Sequence, residues 1–303
     1  MATERELNKR IRSVRNISQV TSALAAVSAA KASKAQKQVQ ASRDYAGKAF
    51  AILVNLASQP GAGETSHPLL TPRAEIKTSA VVLITGDRGL AGAYNANIVA
   101  FTERFIRALP QGQETQVIAV GRKGRDLMVR RGYNVVAAFD AIPDEPTIYD
   151  ISPIADVVIN DYLSGKVDDV FISYTDFVSL VQRDPTVRQL LPLRPLDFEG
   201  MAVSEFVDHV DVELAASQIY SYEPSAEALL NEIVPRFTEL QIYQAVLEAK
   251  ASEHSARMVA MNNATDNAAE LIDLLILERN KARQTSITSE ILDIVGGAEA
   301  LRK

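Results

Sequence analysis

From Phe237 onward, weakly apolar positions recur at alternating steps of three and four. They are Phe237, Leu240, Gln244, Leu247, Ala251, His254, Met258, Met261, Thr265, Ala268, Ile272 and Leu275. This spacing is the seam of a coiled coil. After Leu275 the phase slips by one residue, and Ile287, Ile291, Ile294, Ala298 and Leu301 continue it, which changes the supercoil locally. The small and polar members weaken burial but allow a close, slim pairing. Near the other end, Leu7, Ile11, Val14, Ile17, Leu24 and Val27 predict the apolar side of a second long helix over residues 3–56. Seven of the fourteen residues at 22–35 are alanine, the strongest helix former and a small one.

Between these helices the pattern changes to short apolar runs. Residues 80–85, 115–120, 135–139 and 170–174 read as strands, and 97–109, 123–131 and 152–164 as helices. Strands alternating with helices predict an α/β domain around a mainly parallel sheet. Residues 218–222 are expected to add an edge strand before Pro224 opens the C-terminal helix.

The helix breakers agree with this division. Of 26 glycines and prolines, 24 lie between Gly47 and Pro235, and the others are Gly296 and Gly297. The 60 residues 236–295 contain neither, enough for a helix roughly 90 Å long. The expected organisation is a helix at 1–57, an α/β domain at 58–223 and a helix at 224–303, with residues 58–72 forming a loop. The two helices bracket one domain, so the chain can return and pair them antiparallel. The C-terminal helix is the longer, so its end should project alone. Unburied Ile287, Ile291, Ile294 and Leu301 there imply a partner that encloses them.

Composition narrows the chemistry. With no cysteine, the 303 residues have no disulfide, thiolate metal site or cysteine nucleophile. His67, His209 and His254 lack metal-ligand spacing, and no Ser/His/Asp set or paired carboxylates stand out. His254 is expected to be packed or to face a partner. No apolar run approaches the ~18–20 residues of a membrane span, and the charged start is not a signal peptide, so a soluble intracellular protein is expected. The net charge of −6 hides an asymmetry: residues 1–50 carry ten Lys/Arg against three acids, giving +7 and leaving −13 elsewhere. Basic arms can bind nucleic acid or acidic protein surfaces. Without an aromatic before Tyr45 there is no stacking platform, and a solvated helix face is the simpler reading.

The turn Gly86-Asp87-Arg88-Gly89-Leu90-Ala91-Gly92 follows a strand and precedes a helix, as a dinucleotide site requires. Its spacing is G-x-x-G-x-x-G, however, and no phosphate-loop motif occurs anywhere. The competing reading is a tight turn in which Asp87 and Arg88 make structural or interface contacts. No cofactor is expected.

The run from Ala251-Ser252-Glu253-His254-Ser255-Ala256-Arg257-Met258 through Asn262-Asn263-Ala264-Thr265-Asp266-Asn267-Ala268 closely resembles the γ subunit of F-type ATP synthases. So do Asn280-Lys281-Ala282-Arg283-Gln284, Ile287-Thr288-Ser289-Glu290-Ile291 and Ile294-Val295-Gly296-Gly297-Ala298. Arg10-Ile11-Arg12-Ser13-Val14, Asp87-Arg88-Gly89-Leu90 and Gly121-Arg122-Lys123-Gly124 fit as well, so the resemblance covers essentially the whole chain. The departures are Ala91, where bacterial relatives often carry cysteine; Leu24 and Ala26, near which relatives often carry a methionine; and Arg279, where tyrosine is usual. The dithiol insert of chloroplast relatives is absent.

The resemblance implies an antiparallel coiled coil bracketing a Rossmann-like α/β domain. It implies a non-catalytic central stalk that transmits torque between a membrane ring of c subunits and a hexamer of three α and three β subunits, beside ε. It also implies a peripheral location on the cytoplasmic side of a bacterial plasma membrane, without nucleic acid or direct membrane insertion. Gln284 and Thr288 share a helix face; with Arg283 and Glu290 they are expected to meet a loop of one β subunit, and Ile287, Ile291 and Ile294 to sit in an apolar bearing. Arg257 belongs to the same contact set, and Asp87 and Arg88 to the interface of the stalk domain. The alternatives are a coiled-coil adaptor without a rotary role and a Rossmann-type enzyme using the Gly86 turn.

Overall fold

The computed structural model describes residues 3–57, 67–193 and 225–300. The expected strand at 218–222, Pro224, Leu301 and most of the 58–72 loop lie outside the described residues. The element order is α1 (Glu4–Ala57), a short 3-10 turn (Pro68–Leu70), β1 (Thr78–Ile84), α2 (Tyr94–Ala108), β2 (Glu114–Val120), α3 (Arg122–Arg130), β3 (Asn134–Phe139), α4 (Ile148–Leu163), β4 (Asp169–Phe177), β5 (Arg183–Leu191) and α5 (Ala226–Ala300). The two long helices run for 54 and 75 residues. Their residues divide between two compact units, Met1–Ser28 with Arg257–Lys303 and Ala29–Ala256.

In the second unit the sheet order is β3-β2-β1-β4-β5. The first four strands are parallel and β5 runs antiparallel to β4. Successive strand residues point to opposite faces, and both faces of β1 are covered. Ala80, Val82 and Ile84 join Ile118 and Val120 in one core with Phe50 of α1, Ile151, Ile154 and Val158 of α4, and Val234, Phe237 and Ala245 of α5. Leu83 and Val117 face the other way, onto Ile98, Val99 and Met128 of α2 and α3. A parallel strand covered on both sides reads as a continuous apolar run, which is why β1 was legible in sequence. In this unit the long helices also meet through Ala35, Val39, Leu247 and Ala251.

Two boundaries differ from expectation. α4 starts at Ile148 rather than 152, because Asp150 accepts a hydrogen bond from the Thr147 backbone N–H at 2.7 Å and closes the first turn. Pro153 therefore lies inside the helix rather than at its start. The antiparallel edge of the described sheet comes directly after β4, at β5. Arg183, Asp184 and Pro185 look like loop residues, but proline is tolerated on an edge strand.

In the first unit, Leu7 and Ile11 of α1 pack on Leu275, with Val14, Ile272, Ile276 and Ala282 against them. Thr21 and Thr265 hydroxyls hydrogen-bond at 2.7 Å. Every member of the α5 stripe from Phe237 to Leu275 is buried or half-buried. On α1 the seam is Leu7, Ile11, Val14, Ser18, Thr21, Ala25 and Ser28, all buried or half-buried. Ile17 and Val27, expected on this side, are instead 53% and 52% exposed. From Ser18 to Ser28 small residues hold the α1 seam, and larger apolar residues such as Ile17, Val20 and Val27 lie outside it.

Candidate functional site

The end of α5 carries the expected contact residues. Counting antiparallel from the Thr21–Thr265 contact, seventeen residues along each helix, brings Glu4 level with Ala282. α1 begins at Glu4, and beyond that level every residue of α5 from 283 to 298 is exposed. Ile287, Ile291, Leu292, Ile294 and Val295 are each about half or more exposed. Arg283, Gln284, Thr288 and Glu290 lie among them, exposed as well. The Thr288 hydroxyl donates to the Gln284 carbonyl at 2.9 Å, a bond within the helix. Arg257 lies apart from this group and is half-buried.

Asp87 and Arg88 prove to have different situations. The Asp87 carboxylate accepts from the backbone N–H groups of Arg122 at 2.9 Å and Ala141 at 3.0 Å, tying three loops together. Arg88 is exposed. Beside it Leu90 is exposed and holds φ +64°, a conformation uncommon for leucine.

The crevice beyond the carboxyl ends of the parallel strands is where open α/β sheets bind ligands. Here α5 fills it. Between Thr85, Asp87, Tyr94, Gly121 and Ile142 on one side and Val246, Ala249, Lys250 and Glu253 on the other, the space left is about 10 Å³. The Glu253 side chain lies against Gly86, so an acid stands where a dinucleotide would place phosphate, and the nucleotide reading has no room here. Val246, Ala249 and Lys250 were not singled out from the sequence, and Glu253 entered only within the run that resembles the γ subunit. The signal was present: Gln244, Glu248, Ser252 and Ser255 form a polar stripe at helical spacing, and all are fully buried.

Charges tie the loop before α4 to both long helices of this unit. Asp144 meets Lys31 of α1 at 2.5 Å and His254 of α5 at 3.4 Å. Burial opposes ionisation of Asp144, but the Lys31 hydrogen bond and the charges of His254 and Lys250 outweigh it and hold the carboxyl below its ordinary value. His254 is thus a packed residue, 2% exposed. Burial, followed by the carboxylates of Asp176 and Glu248, pushes the Tyr174 phenol above its ordinary value. Among the described residues no helix is long and apolar enough to cross a membrane, and no cluster of three His, Asp or Glu could hold a metal ion.

A profile of the family described as ATP synthase matches residues 3–301. The chain is 45% identical over 301 residues to an ATP synthase gamma chain of Dehalococcoides mccartyi, covering 99% of this chain and all of that one. It is 44% identical over 302 residues to that of Moorella thermoacetica, covering all of both chains. Among solved structures, a chain of the Euglena gracilis mitochondrial ATP synthase OSCP/F1/c-ring in rotational state 3 superposes with a TM-score of 0.67 at 19% identity, covering 98% of this chain and 94% of that one. A chain of the Tetrahymena thermophila mitochondrial ATP synthase central stalk and c-ring gives 0.61 at 21% identity, covering 81% and 99%. The full-length relatives and the shared fold agree with the uncovered end of α5: this chain belongs to the ATP synthase gamma chain family.

Proposed function

We propose that this chain is the rotary central stalk of an F-type ATP synthase, transmitting torque between the membrane c-ring and the catalytic hexamer without performing bond chemistry. The observation that carries the reading is the run 283–298, exposed throughout and holding five large apolar residues on a helix that outlasts its partner. An apolar surface of this kind marks an interaction site. Apolar residues also lie outside the seam on both helices of the first unit: Ile17, Val20 and Val27 on α1, and Leu271, Leu274 and Leu277 on α5. Helices apolar around their circumference are suited to enclosure, and three α with three β subunits supply it.

Within that enclosure Ile287, Ile291 and Ile294 form the bearing surface, and Arg283, Gln284, Thr288 and Glu290 meet a β subunit loop. Arg257 belongs to the same contact set. Arg88, with Leu90, faces a partner from the stalk domain, while Asp87 holds the turn that presents it. A shaft with unlike faces offers each β subunit a different surface. Turning it shifts each catalytic site among conformations of different nucleotide affinity, which is how rotation becomes ATP synthesis. The stalk sits peripherally on the cytoplasmic side of a bacterial plasma membrane, beside ε and on the c-ring.

Co-expression with α and β, purification through a tag on β and mass measurement of the intact complex test the assignment. One copy of this chain per three α and three β is expected, with ATP-driven rotation of a label on the chain. Absence from the complex would favour the adaptor reading instead.

A further inference from the structure

The crevice that other open α/β sheets reserve for a ligand is held here by two turns of α5, and the contacts are polar rather than only apolar. The Tyr94 hydroxyl donates to the Ala249 carbonyl at 3.0 Å. Lys250 Nζ donates to the Ile142 carbonyl at 3.0 Å, after β3. The Phe177 N–H donates to Glu248 Oε2 at 3.0 Å, and the Ser252 hydroxyl to the Asp176 carbonyl at 3.2 Å, at the end of β4. The Ser255 hydroxyl donates to the Leu180 carbonyl in the β4–β5 turn. Residues 248–255 thus engage the ends of β1, β3 and β4. Glu253, 6% exposed, lies against Gly86 so closely that a β-carbon there would stand 2.6 Å from Glu253 Oε1.

Apolar packing is non-directional and holds a helix only through the interlock of its side chains. Hydrogen bonds are directional, and several at one level fix the roll angle. Upstream, α5 residues such as Val234, Phe237 and Ala245 join the apolar core. The polar contacts concentrate instead at 248–255, where the sheet ends.

Building on the rotary reading, we propose that residues 248–255 of α5 occupy the sheet's ligand crevice as a built-in ligand and form the torque-bearing joint of the rotor, with Glu253 over Gly86 as its positioning residue. The joint sets the angle at which the α/β domain holds α5. Loosening it makes the rotor torsionally soft without touching the contacts that α5 makes with the hexamer.

The test is single-molecule torsional stiffness of the assembled complex with α and β. A bead is attached at Ala108→Cys, an exposed position on α2; the chain has no cysteine of its own to compete. Gly86→Ala, which displaces the Glu253 carboxylate, and Glu253→Ala should each lower stiffness to about half of wild type, whereas Glu253→Gln, which keeps the length and shape of the side chain against Gly86, should recover most of it. ATP hydrolysis at saturating ATP should stay within about twofold throughout, and Gly86→Ala should add nothing in the Glu253→Ala background, since coupled sites are non-additive. A role in stability alone would lower the melting temperature and the yield of complex while leaving the stiffness of assembled complexes unchanged. Wild-type stiffness in both alanine variants, or additive effects in the double variant, overturns the joint. Should Glu253→Ala fail to assemble, Gly86→Ala against Glu253→Gln decides the same question. A wild-type label that never rotates would sink the rotary reading itself, a result distinct from equal stiffness in rotating complexes.

Discussion

Gly121 shows how far single residues were legible. It holds φ +100°, and a β-carbon there would lie 2.1 Å from the Thr85 carbonyl oxygen, backbone against backbone. Gly121→Ala should therefore destabilise the purified chain by at least about 3 kcal/mol in urea unfolding. Gly89→Ala, with nothing within 4 Å of the new carbon, should stay within about 0.5 kcal/mol. The sequence drew attention to the Gly86 turn because of its spacing, yet the strictest glycine opens α3, since spacing alone does not report which backbone is approached. Gln284 and Thr288 were legible as a shared helix face, and both are exposed. Each polar contact there is worth ~0.5–1.5 kcal/mol, so the Gln284→Ala/Thr288→Ala pair should assemble normally. Multisite ATP hydrolysis and synthesis by the purified complex should fall several-fold. Unchanged turnover would place the grip elsewhere on α5, and failed assembly would make the pair structural.

At the scale of elements, the long helices and the parallel strands announced themselves, because breaker-free periodicity and doubly buried apolar runs are strong local signals. β5 did not, since Pro185 and its charged neighbours are acceptable only because the strand lies at an edge. Ile17 and Val27 misled for a related reason: apolar residues mark a contact, but not whether its partner is the same chain. The rigidity of α5 is open to a direct check. Ala260 has no glycine or proline within twenty residues on either side. Ala260→Pro removes a helix hydrogen bond and clashes with the preceding turn at a cost of roughly 3 kcal/mol or more. Complexes carrying it should assemble poorly or pump few protons per ATP; normal ATP-driven pumping would show that a stiff helix is not required.

For the whole molecule, the uncovered end of α5 predicts how the free chain behaves. Purified alone, it should self-associate in sedimentation runs at concentrations where the assembled complex stays discrete. Replacing Ile287, Ile291 and Ile294 with glutamine should leave it monomeric and weaken its incorporation among α and β; self-association that persists would point to another surface. The thin seam has a consequence for synthesis as well. Leu7 and Leu275 lie 268 positions apart, and at ~5–20 residues per second the ribosome takes on the order of ten to fifty seconds to supply the second after the first. During that interval α1 stands without its partner. Beyond Leu7, Ile11 and Val14 its seam is alanine, serine and threonine, its alanines favour a helix unaided, and its ten cations keep nascent copies on neighbouring ribosomes apart. A leucine-rich seam would hold the finished pair more tightly but would leave each new α1 searching for the wrong helix while its own was still unmade.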